Sequence, residues 1–234
     1  MLFRSCGVVD PSDAAPVADA LAKRNLKLTH ILNTHHHNDH VGGNLELKEM
    51  TGARVVGPGK DRGRIPGIDD GAIEGEILRF GPHDAHVLEI PAHTSSHVAY
   101  YFTKACAVFT GDTLFAMGCG RLFEGTPAMM WASLTKLANL PGDTNVYCGH
   151  EYTENNGRFA LTLEPGNAAL QTRMKAVAAT RAKGLPTVPS TIALERETNP
   201  FMRADVREIR KTLGLENADV IDVFAEARRR KDAF

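Results

Sequence analysis

The chain has 234 residues, of which 43% are hydrophobic and 24% charged, and its formal net charge is −1. This composition is typical of a globular protein with one large domain, or with a domain and a smaller companion, and a net charge near zero gives no overall field that would favour nucleic acid or a membrane surface. The sequence contains no apolar run near the roughly 20 residues that a membrane-spanning helix needs. Its four cysteines are scattered and include no CxxC pair. We therefore expect a cytoplasmic protein that binds neither nucleic acid nor a membrane.

Short apolar runs alternate with helical patterns through the first two-thirds of the sequence. Seven runs, bounded mostly by Gly, Pro, Asn or Asp, predict strands at residues 28–33, 53–56, 76–80, 85–90, 98–103, 105–110 and 145–148. Helical patterns cover residues 13–24, 44–50 and 127–140 and, in the last third of the chain, residues 168–183, 205–213 and 217–232. The pattern predicts an α/β domain over residues 1–153 and a small helical domain over residues 154–234.

Polar side chains follow four of the predicted strands at the point where each strand ends. THHHNDH (residues 34–40) follows the first strand, and PAHT (91–94), GDT (111–113) and GHE (149–151) follow three others. A rigid sheet commonly presents functional side chains on the loops at one edge. We therefore expect these four segments to build one site.

The residue types of these segments are those of a metal site. The candidate ligands are His35, His37, Asp39, His40, His93, Asp112 and His150. A zinc-type ion takes about four to six N and O ligands near 2.0–2.2 Å, so this set is too large for one ion and suits two ions that share a carboxylate. All-His/Asp ligation leaves positions for water, as catalytic sites require, and it accepts zinc, with iron and manganese as alternatives. His36 and His97 lie near the set without being required as ligands.

Several longer segments carry a family resemblance that extends over nearly the whole chain. THHHNDHVGGN, GDTLF and CGHEYT resemble the metallo-β-lactamase superfamily, whose α/β fold is an αβ/βα sandwich. GCGRLFEGT (residues 118–126), NPFMR (199–203) and the terminal RRRKDAF are similar to segments of one family within it, glyoxalase II or hydroxyacylglutathione hydrolase. That family adds a small C-terminal helical domain, which binds the glutathione part of the substrate.

The resemblance implies a role for each candidate residue. His35, His37 and His93 would hold one divalent ion, and Asp39, His40 and His150 a second. Asp112 would bridge both ions, and Asp39 and Asp112 are the candidate catalytic carboxylates. The glutathione-binding residues would be Arg121, Phe123, Tyr152, Arg228 and Lys231. Arg228 and Lys231 are three residues apart, so a helix would place them on one face.

The implied reaction is hydrolysis of S-D-lactoylglutathione to D-lactate and glutathione, the second step of methylglyoxal detoxification. Water activated at the metal pair would attack the thioester, and the thiolate is a good leaving group that makes a protein nucleophile unnecessary. The only partner implied is this small thioester, and we expect a monomer. The alternatives are a glutathione persulfide dioxygenase with a single iron, another hydrolase of the superfamily, and an inactive truncated relative.

Three departures from the family pattern bear on these expectations. Ala92 and Ser96 stand where the family commonly has glycine, and we expect little effect because both side chains are small. Phe123 cannot donate a hydrogen bond where some members have tyrosine, whereas Arg121 keeps the charge of their lysine. Seven residues precede VVDP (residues 8–11), where family members usually have a pair of strands, so we expect a shortened sheet with an unpaired edge.

Overall fold

The computed structural model of the protein describes residues 4–234, and side chains from Cys6 onward. Contacts between residues divide the chain into two compact units. The amino-terminal unit contains the chain up to Glu89 together with Ser96–Ala105, and the carboxy-terminal unit contains Ile90–Ser95 and Cys106–Phe234. Within the described residues, no helix is both long enough and apolar enough to cross a lipid bilayer.

The amino-terminal unit begins with a parallel sheet of four strands in the order β1-β2-β3-β4. These strands are β1 (Arg4–Val9), β2 (Leu26–Leu32), β3 (Arg54–Pro58) and β4 (Asp70–Ala72). Parallel neighbours need a crossover connection, which is usually a helix. Here the crossovers contain α1 (Ala14–Arg24), α2 (Asn38–Val41) and α3 (Asn44–Thr51). Asp13 caps α1 by accepting a hydrogen bond from the backbone N–H of Ala15, which satisfies one of the first-turn donors.

Three antiparallel strands complete the amino-terminal unit: β5 (Ile77–Phe80), β6 (His83–Glu89) and β7 (Val98–Phe102). Buried apolar side chains from both sheets pack into one core, which contains Leu32, Val56, Ala72, Val87, Val98 and Tyr100. Helices α1 and α3 cover the other face of the parallel sheet, where Leu28, Ile31, Leu47 and Val55 are buried. A sheet covered on both faces holds the loops at its strand ends rigidly.

The carboxy-terminal unit combines a short sheet with six helices. Strands β8 (Ala107–Gly111) and β11 (Asn145–Cys148) are parallel, β12 (Ser190–Thr191) is antiparallel to β11, and β9 (Leu114–Phe115) forms a hairpin with β10 (Gly118–Cys119). The helices are α4 (Pro127–Ala138), α5 (Thr153–Leu163), α6 (Ala168–Arg181), α7 (Ile192–Thr198), α8 (Arg207–Leu213) and α9 (Val220–Asp232). Side chains of Thr126, Asn167 and Asp219 cap the starts of α4, α6 and α9.

The seven predicted strands are present with bounds within about two residues of the expected ones, and the six predicted helices within about three. The sequence patterns did not predict β1, β4, β9, β10, β12, α2, α5 or α7. Strand β1 pairs with β2 at the edge of the parallel sheet. Helix α5 begins at Thr153, where the predicted domain boundary falls, and that boundary stays a prediction.

Candidate metal centre and substrate site

The turn after β2 places four of the predicted ligands in the amino-terminal unit, and we call His35, His37, Asp39 and His40 the amino cluster. His35 and His40 are buried, whereas the side chain of Asp39 is 58% exposed. His35 Nε2 lies 3.1 Å from His37 Nδ1. His40 Nε2 lies 3.7 Å from Asp39 Oδ2. The short helix α2 starts directly after His37, so that Asp39 and His40 lie on its first turn.

The carboxy-terminal unit contains the other three predicted ligands, and we call His93, Asp112 and His150 the carboxy cluster. Asp112 follows β8 and His150 follows β11, and the two parallel strands end at the same edge. Asp112 Oδ2 lies 3.5 Å from His93 Nε2 and 3.4 Å from His150 Nε2. One carboxylate oxygen therefore faces two imidazole nitrogens at nearly equal distance.

These separations fit metal ligation. Two ligand atoms that each lie ~2.0–2.2 Å from one tetrahedral ion are about 3.3–3.6 Å apart. The two pairs formed by Asp112 lie in this range at 3.5 and 3.4 Å. The His35–His37 pair at 3.1 Å and the Asp39–His40 pair at 3.7 Å lie just outside it. The donors are imidazoles and carboxylates without a thiolate, which suits zinc, iron and manganese alike. The residues therefore fit divalent metal ions in both clusters.

A backbone carbonyl group determines which ring nitrogen of His93 is free to bind a metal ion. Its Nδ1 lies 2.9 Å from the carbonyl oxygen of Arg121, which can only accept a hydrogen bond. Nδ1 must therefore carry the proton, and Nε2, the atom that faces Asp112, becomes the coordinating nitrogen. The loop that contains Arg121 thus orients a predicted metal ligand as well as presenting a predicted substrate-binding side chain.

The two other histidines near the amino cluster have different surroundings. His36 Nδ1 lies 3.2 Å from Asp61 Oδ2, and its Nε2 lies 3.1 Å from a guanidinium nitrogen of Arg64. Both ring nitrogens of His36 are therefore engaged outside the cluster, as expected for a histidine that is not a ligand. His97 is buried and its ring stacks on that of His35, with centroids 4.6 Å apart and an interplanar angle of 18°.

Aromatic and basic side chains of the carboxy-terminal unit lie beside the carboxy cluster. Tyr152 is half exposed, and its ring stacks on that of His150 with centroids 4.9 Å apart. Phe123 is 61% exposed, with its ring 5.2 Å from that of His93. Arg121 is exposed, and its Nε lies 3.6 Å from Asp232 Oδ1 on α9. These three predicted substrate-binding residues are accessible from solvent.

The predicted basic pair on α9 occupies two different environments. Arg228 is buried, and its guanidinium donates to the carbonyl oxygen of Cys119 at 2.8 Å and to Asp232 Oδ1 at 2.9 Å. Lys231 is half-buried, with its Nζ 3.4 Å from the carbonyl oxygen of Asn155. Burial, reinforced by the nearby positive charges of Arg228, Arg158 and Arg121, lowers the pKa of Lys231 to about 8.

The sequence patterns missed Asp10, which follows β1. Ligand atoms of Asp10, His35 and His40 lie within 4.8 Å of one another. The signal was present, because Asp10 follows the apolar pair Val8-Val9 as Asp112 follows its own strand. It was overlooked because residues 4–9 were not predicted to be a strand.

Comparison with known proteins agrees with this fold and donor set. A model of the metallo-β-lactamase superfamily matches residues 5–150, and a model described as the hydroxyacylglutathione hydrolase C-terminus matches residues 151–234. Among solved structures, ETHE1 from Myxococcus xanthus is 27% identical with a TM-score of 0.64, over 98% of this chain and 88% of that one. TTHA1623, solved in a di-iron-bound form, is 27% identical with a TM-score of 0.57, over 82% of this chain and 87% of that one.

The fold and the His/Asp clusters thus define a protein of the metallo-β-lactamase superfamily, as the sequence predicted. The hydroxyacylglutathione hydrolase of Methylococcus capsulatus is 56% identical over 97% of this chain and 88% of its own length. The hydroxyacylglutathione hydrolase of Cereibacter sphaeroides is 53% identical over 97% and 89%. The chain belongs to the hydroxyacylglutathione hydrolase family.

Proposed function

We propose that the protein hydrolyses S-D-lactoylglutathione and related 2-hydroxyacylglutathiones to the 2-hydroxy acid and glutathione. The observation that carries the proposal is the position of Asp112 Oδ2, 3.5 Å from His93 Nε2 and 3.4 Å from His150 Nε2, which is the spacing expected for ligands that share a metal ion. The family match and the 56% identical relative named hydroxyacylglutathione hydrolase support the same reaction.

The proposed ligand set uses both clusters. His35, His37 and His93 would hold one ion, Asp39, His40 and His150 would hold the other, and Asp112 would bind both. The position of Asp112 Oδ2, 3.5 Å from His93 Nε2 and 3.4 Å from His150 Nε2, supports bridging, because these two histidines are assigned to different ions. Zinc, iron and manganese all suit the donors, and we propose zinc as the first choice.

The chemistry at this site divides between the ions and the chain. Bound there, two divalent ions supply Lewis acidity and activate water near neutral pH. The Arg121 carbonyl keeps the proton of His93 on Nδ1. Lys231 and Arg121 present cations to the carboxylates of glutathione, and the exposed rings of Phe123 and Tyr152 line its path to the carboxy cluster. Arg228 binds the backbone at Cys119, so we propose that it shapes the site while Lys231 supplies the accessible charge.

The activity test is loss of the thioester absorbance of S-D-lactoylglutathione with metal-loaded protein. We expect the metal-loaded protein to hydrolyse the thioester far faster than buffer does. After the metals have been chelated, the thioester absorbance should stay constant. Oxygen consumption with glutathione persulfide, without thioester cleavage, would instead identify a dioxygenase. Absence of both reactions in protein that holds two ions would contradict the proposal.

The bridging role of Asp112 is testable by metal analysis. Asp112→Ala removes a ligand of both ions, so we expect fewer bound ions per chain together with a large loss of kcat. Asp143→Ala, a change at an exposed turn carboxylate, is the matched control and should retain both ions. An Asp112→Ala protein with the full metal content would rule out the bridging role.

We further propose that the protein acts in the cytoplasm as a monomer, with the small thioester as its only partner. The four cysteines are in the thiol form, in keeping with a reducing compartment. Light scattering of the metal-loaded protein at working concentration tests the oligomeric state, and a dimer mass would contradict it.

A further inference from the structure

Asp10 is a buried carboxylate at the end of β1 that the proposed reaction does not use. Its side chain is 8% exposed, and its backbone has a left-handed φ of 50°. The Asp10 N–H donates to the carbonyl oxygen of Leu32 at 3.0 Å. A non-glycine residue in this conformation carries a backbone cost, which persists only where surrounding contacts fix it. The contacts of Asp10 show what fixes it.

Both carboxylate oxygens of Asp10 face the turn that carries the amino cluster. Oδ1 accepts the backbone N–H of Thr34 at 2.7 Å, and Oδ2 accepts the hydroxyl of Thr34 at 2.7 Å. Oδ2 also lies 3.1 Å from His40 Nδ1. Asp10 therefore contacts a predicted ligand of the second ion directly.

Asp10 reaches the first ion through Thr34. The hydroxyl of Thr34 gives its proton to Asp10, so its oxygen can accept the Nδ1 proton of His35, which lies 3.0 Å away. Asp10, Thr34 and His35 thus form a directed chain of hydrogen bonds. This chain selects the Nδ1–H tautomer of His35 and leaves Nε2 to coordinate.

The opposite ring nitrogens of the two histidines face the remaining members of the amino cluster. His35 Nε2 points to His37 Nδ1 at 3.1 Å, and His40 Nε2 points to Asp39 Oδ2 at 3.7 Å. These are the partners with which each histidine shares an ion in the proposed ligand set. Metal-bound histidines usually have their second ring nitrogen held by a carboxylate or a carbonyl.

We propose that Asp10 is a positioning residue for both metal ions, acting on His40 through the negative charge that faces its Nδ1 and on the tautomer of His35 through the hydrogen bonds of Thr34. The inference rests on the proposed dinuclear site. The proposed ligand set assigns His35 and His40 to different ions, so the loss of one carboxylate that is linked to both should affect both positions. His93 needs no such partner, because the Arg121 carbonyl orients it.

The test is metal affinity, measured by chelator competition on folded protein. Asp10→Asn presents an amide in place of the accepting carboxylate, and we expect roughly 10–100-fold weaker binding at both positions. Thr34→Val removes the hydroxyl link and should weaken the position that uses His35 more than the one that uses His40. Asp13→Asn is the control, since asparagine also caps α1, and both affinities should stay as in the parent protein.

NMR of the ring nitrogens in the metal-free protein reports the tautomers of His35 and His40 directly. A purely structural role of Asp10 would leave these tautomers unchanged. We expect His35 and His40 as Nδ1–H tautomers in the parent protein, and loss of this preference for His40 in Asp10→Asn. Unchanged affinities in folded Asp10→Asn would overturn the inference. A fall in affinity of more than about 1,000-fold at only one of the two positions would also overturn the inference, because that pattern marks a direct ligand. Failure of the parent protein to bind two ions would instead contradict the proposed function.

Discussion

Lys231 has an unusual environment for a residue that is to bind a carboxylate. Its ammonium lies 5.4 Å from the ring centre of Phe159 and 5.0 Å from that of Phe234, so aromatic faces replace part of its water. Burial is the main cause that lowers its pKa to about 8, and the positive charges around it act in the same direction. The charge of Lys231 is thus present at neutral pH and is lost as the pH rises through 8.

This titration predicts a pH-dependent substrate affinity. We expect kcat/KM to fall between pH 7 and 9, mainly through a rise in KM, because the neutral amine cannot pair with a carboxylate. Lys231→Arg keeps its charge across this range and should remove the rise in KM, whereas Lys231→Met should show a high KM at pH 7 already. The same pH dependence of KM in the parent protein and in Lys231→Arg would assign the titration to another group.

Ala92, which stands where the family commonly has glycine, has a backbone conformation typical of glycine. Its φ is 139°, in the region that favours glycine, and its side chain is buried. A residue held there costs about 1–3 kcal/mol of backbone strain. Ala92 directly precedes His93, so its backbone conformation sets the direction of the chain at His93. We therefore expect the strained conformation to persist because the loop needs it.

The variant Ala92→Gly, which removes the side-chain methyl group, should therefore be tolerated. In an ordinary buried position, Ala→Gly costs about 1–2 kcal/mol through lost packing and added chain flexibility. At Ala92 the released strain offsets this cost, so we expect the free energy of unfolding to stay within about 1 kcal/mol of the parent value or to rise. Ala99→Gly on β7 is the comparison, and equal destabilisation of both variants in denaturant titrations would show that Ala92 is unstrained.

Among the elements, the connection from β10 to α4 brings metal and substrate residues together. Arg121 and Phe123 lie on it, and the carboxylate of Glu124 accepts from the backbone N–H and the hydroxyl of Ser95, each at 2.8 Å. Gly120 allows this connection to lie close to Asp112 and His93. A Cβ at this residue would lie 1.9 Å from the backbone oxygen of Asp112 and 3.0 Å from His93 Nδ1.

Gly120→Ala should therefore disturb the carboxy cluster. The clash with the backbone of Asp112 forces the connection outward, and the Arg121 carbonyl moves away from His93. We expect destabilisation above about 2 kcal/mol and weaker metal binding. Gly63→Ala is the matched control, since its Cβ would meet no atom within 4 Å. Its stability should equal or slightly exceed that of the parent protein, and parent-like metal affinity in Gly120→Ala would show that the approach is not needed.

The elements that the sequence patterns missed share physical causes. Helix α5 contains Asn155, Asn156 and Gly157, which have low helix propensity. Gly157 nevertheless allows close packing, because a Cβ there would lie 2.0 Å from the sulfur of Met174 on α6. Close packing between two helices overrides local propensity in this case. The strands β4, β9, β10 and β12 contain only two or three residues each, too few for an alternating pattern to be recognised.

At the scale of the whole molecule, the candidate metal centre leaves a clearer pattern in the sequence than the candidate substrate site. Candidate ligands at strand ends are visible in the sequence because each combines a metal-binding side chain with a turn after an apolar run, as at Asp112 and His150. The burial of Arg228 depends on the carbonyl oxygen of Cys119, which is 109 residues away in the chain and leaves no local pattern. The role of Asp10 likewise depends on contacts with Thr34 and His40, which no spacing rule connects.

Metal removal tests the whole molecule, because the proposed ligands range from His35 to His150. Ions that bind the folded chain and not the unfolded chain stabilise it by mass action, by about 4 kcal/mol at a free metal concentration 1,000 times the dissociation constant. For a chain of this length, that corresponds to a fall of roughly 10 °C in Tm upon chelation, reversed when zinc is restored. Asp112→Ala should show a smaller dependence on the chelator because it holds the ions less tightly. Equal Tm values for the chelated and metal-loaded parent protein would mean that the ions contribute no binding energy to the fold, and would contradict the proposed ligand set.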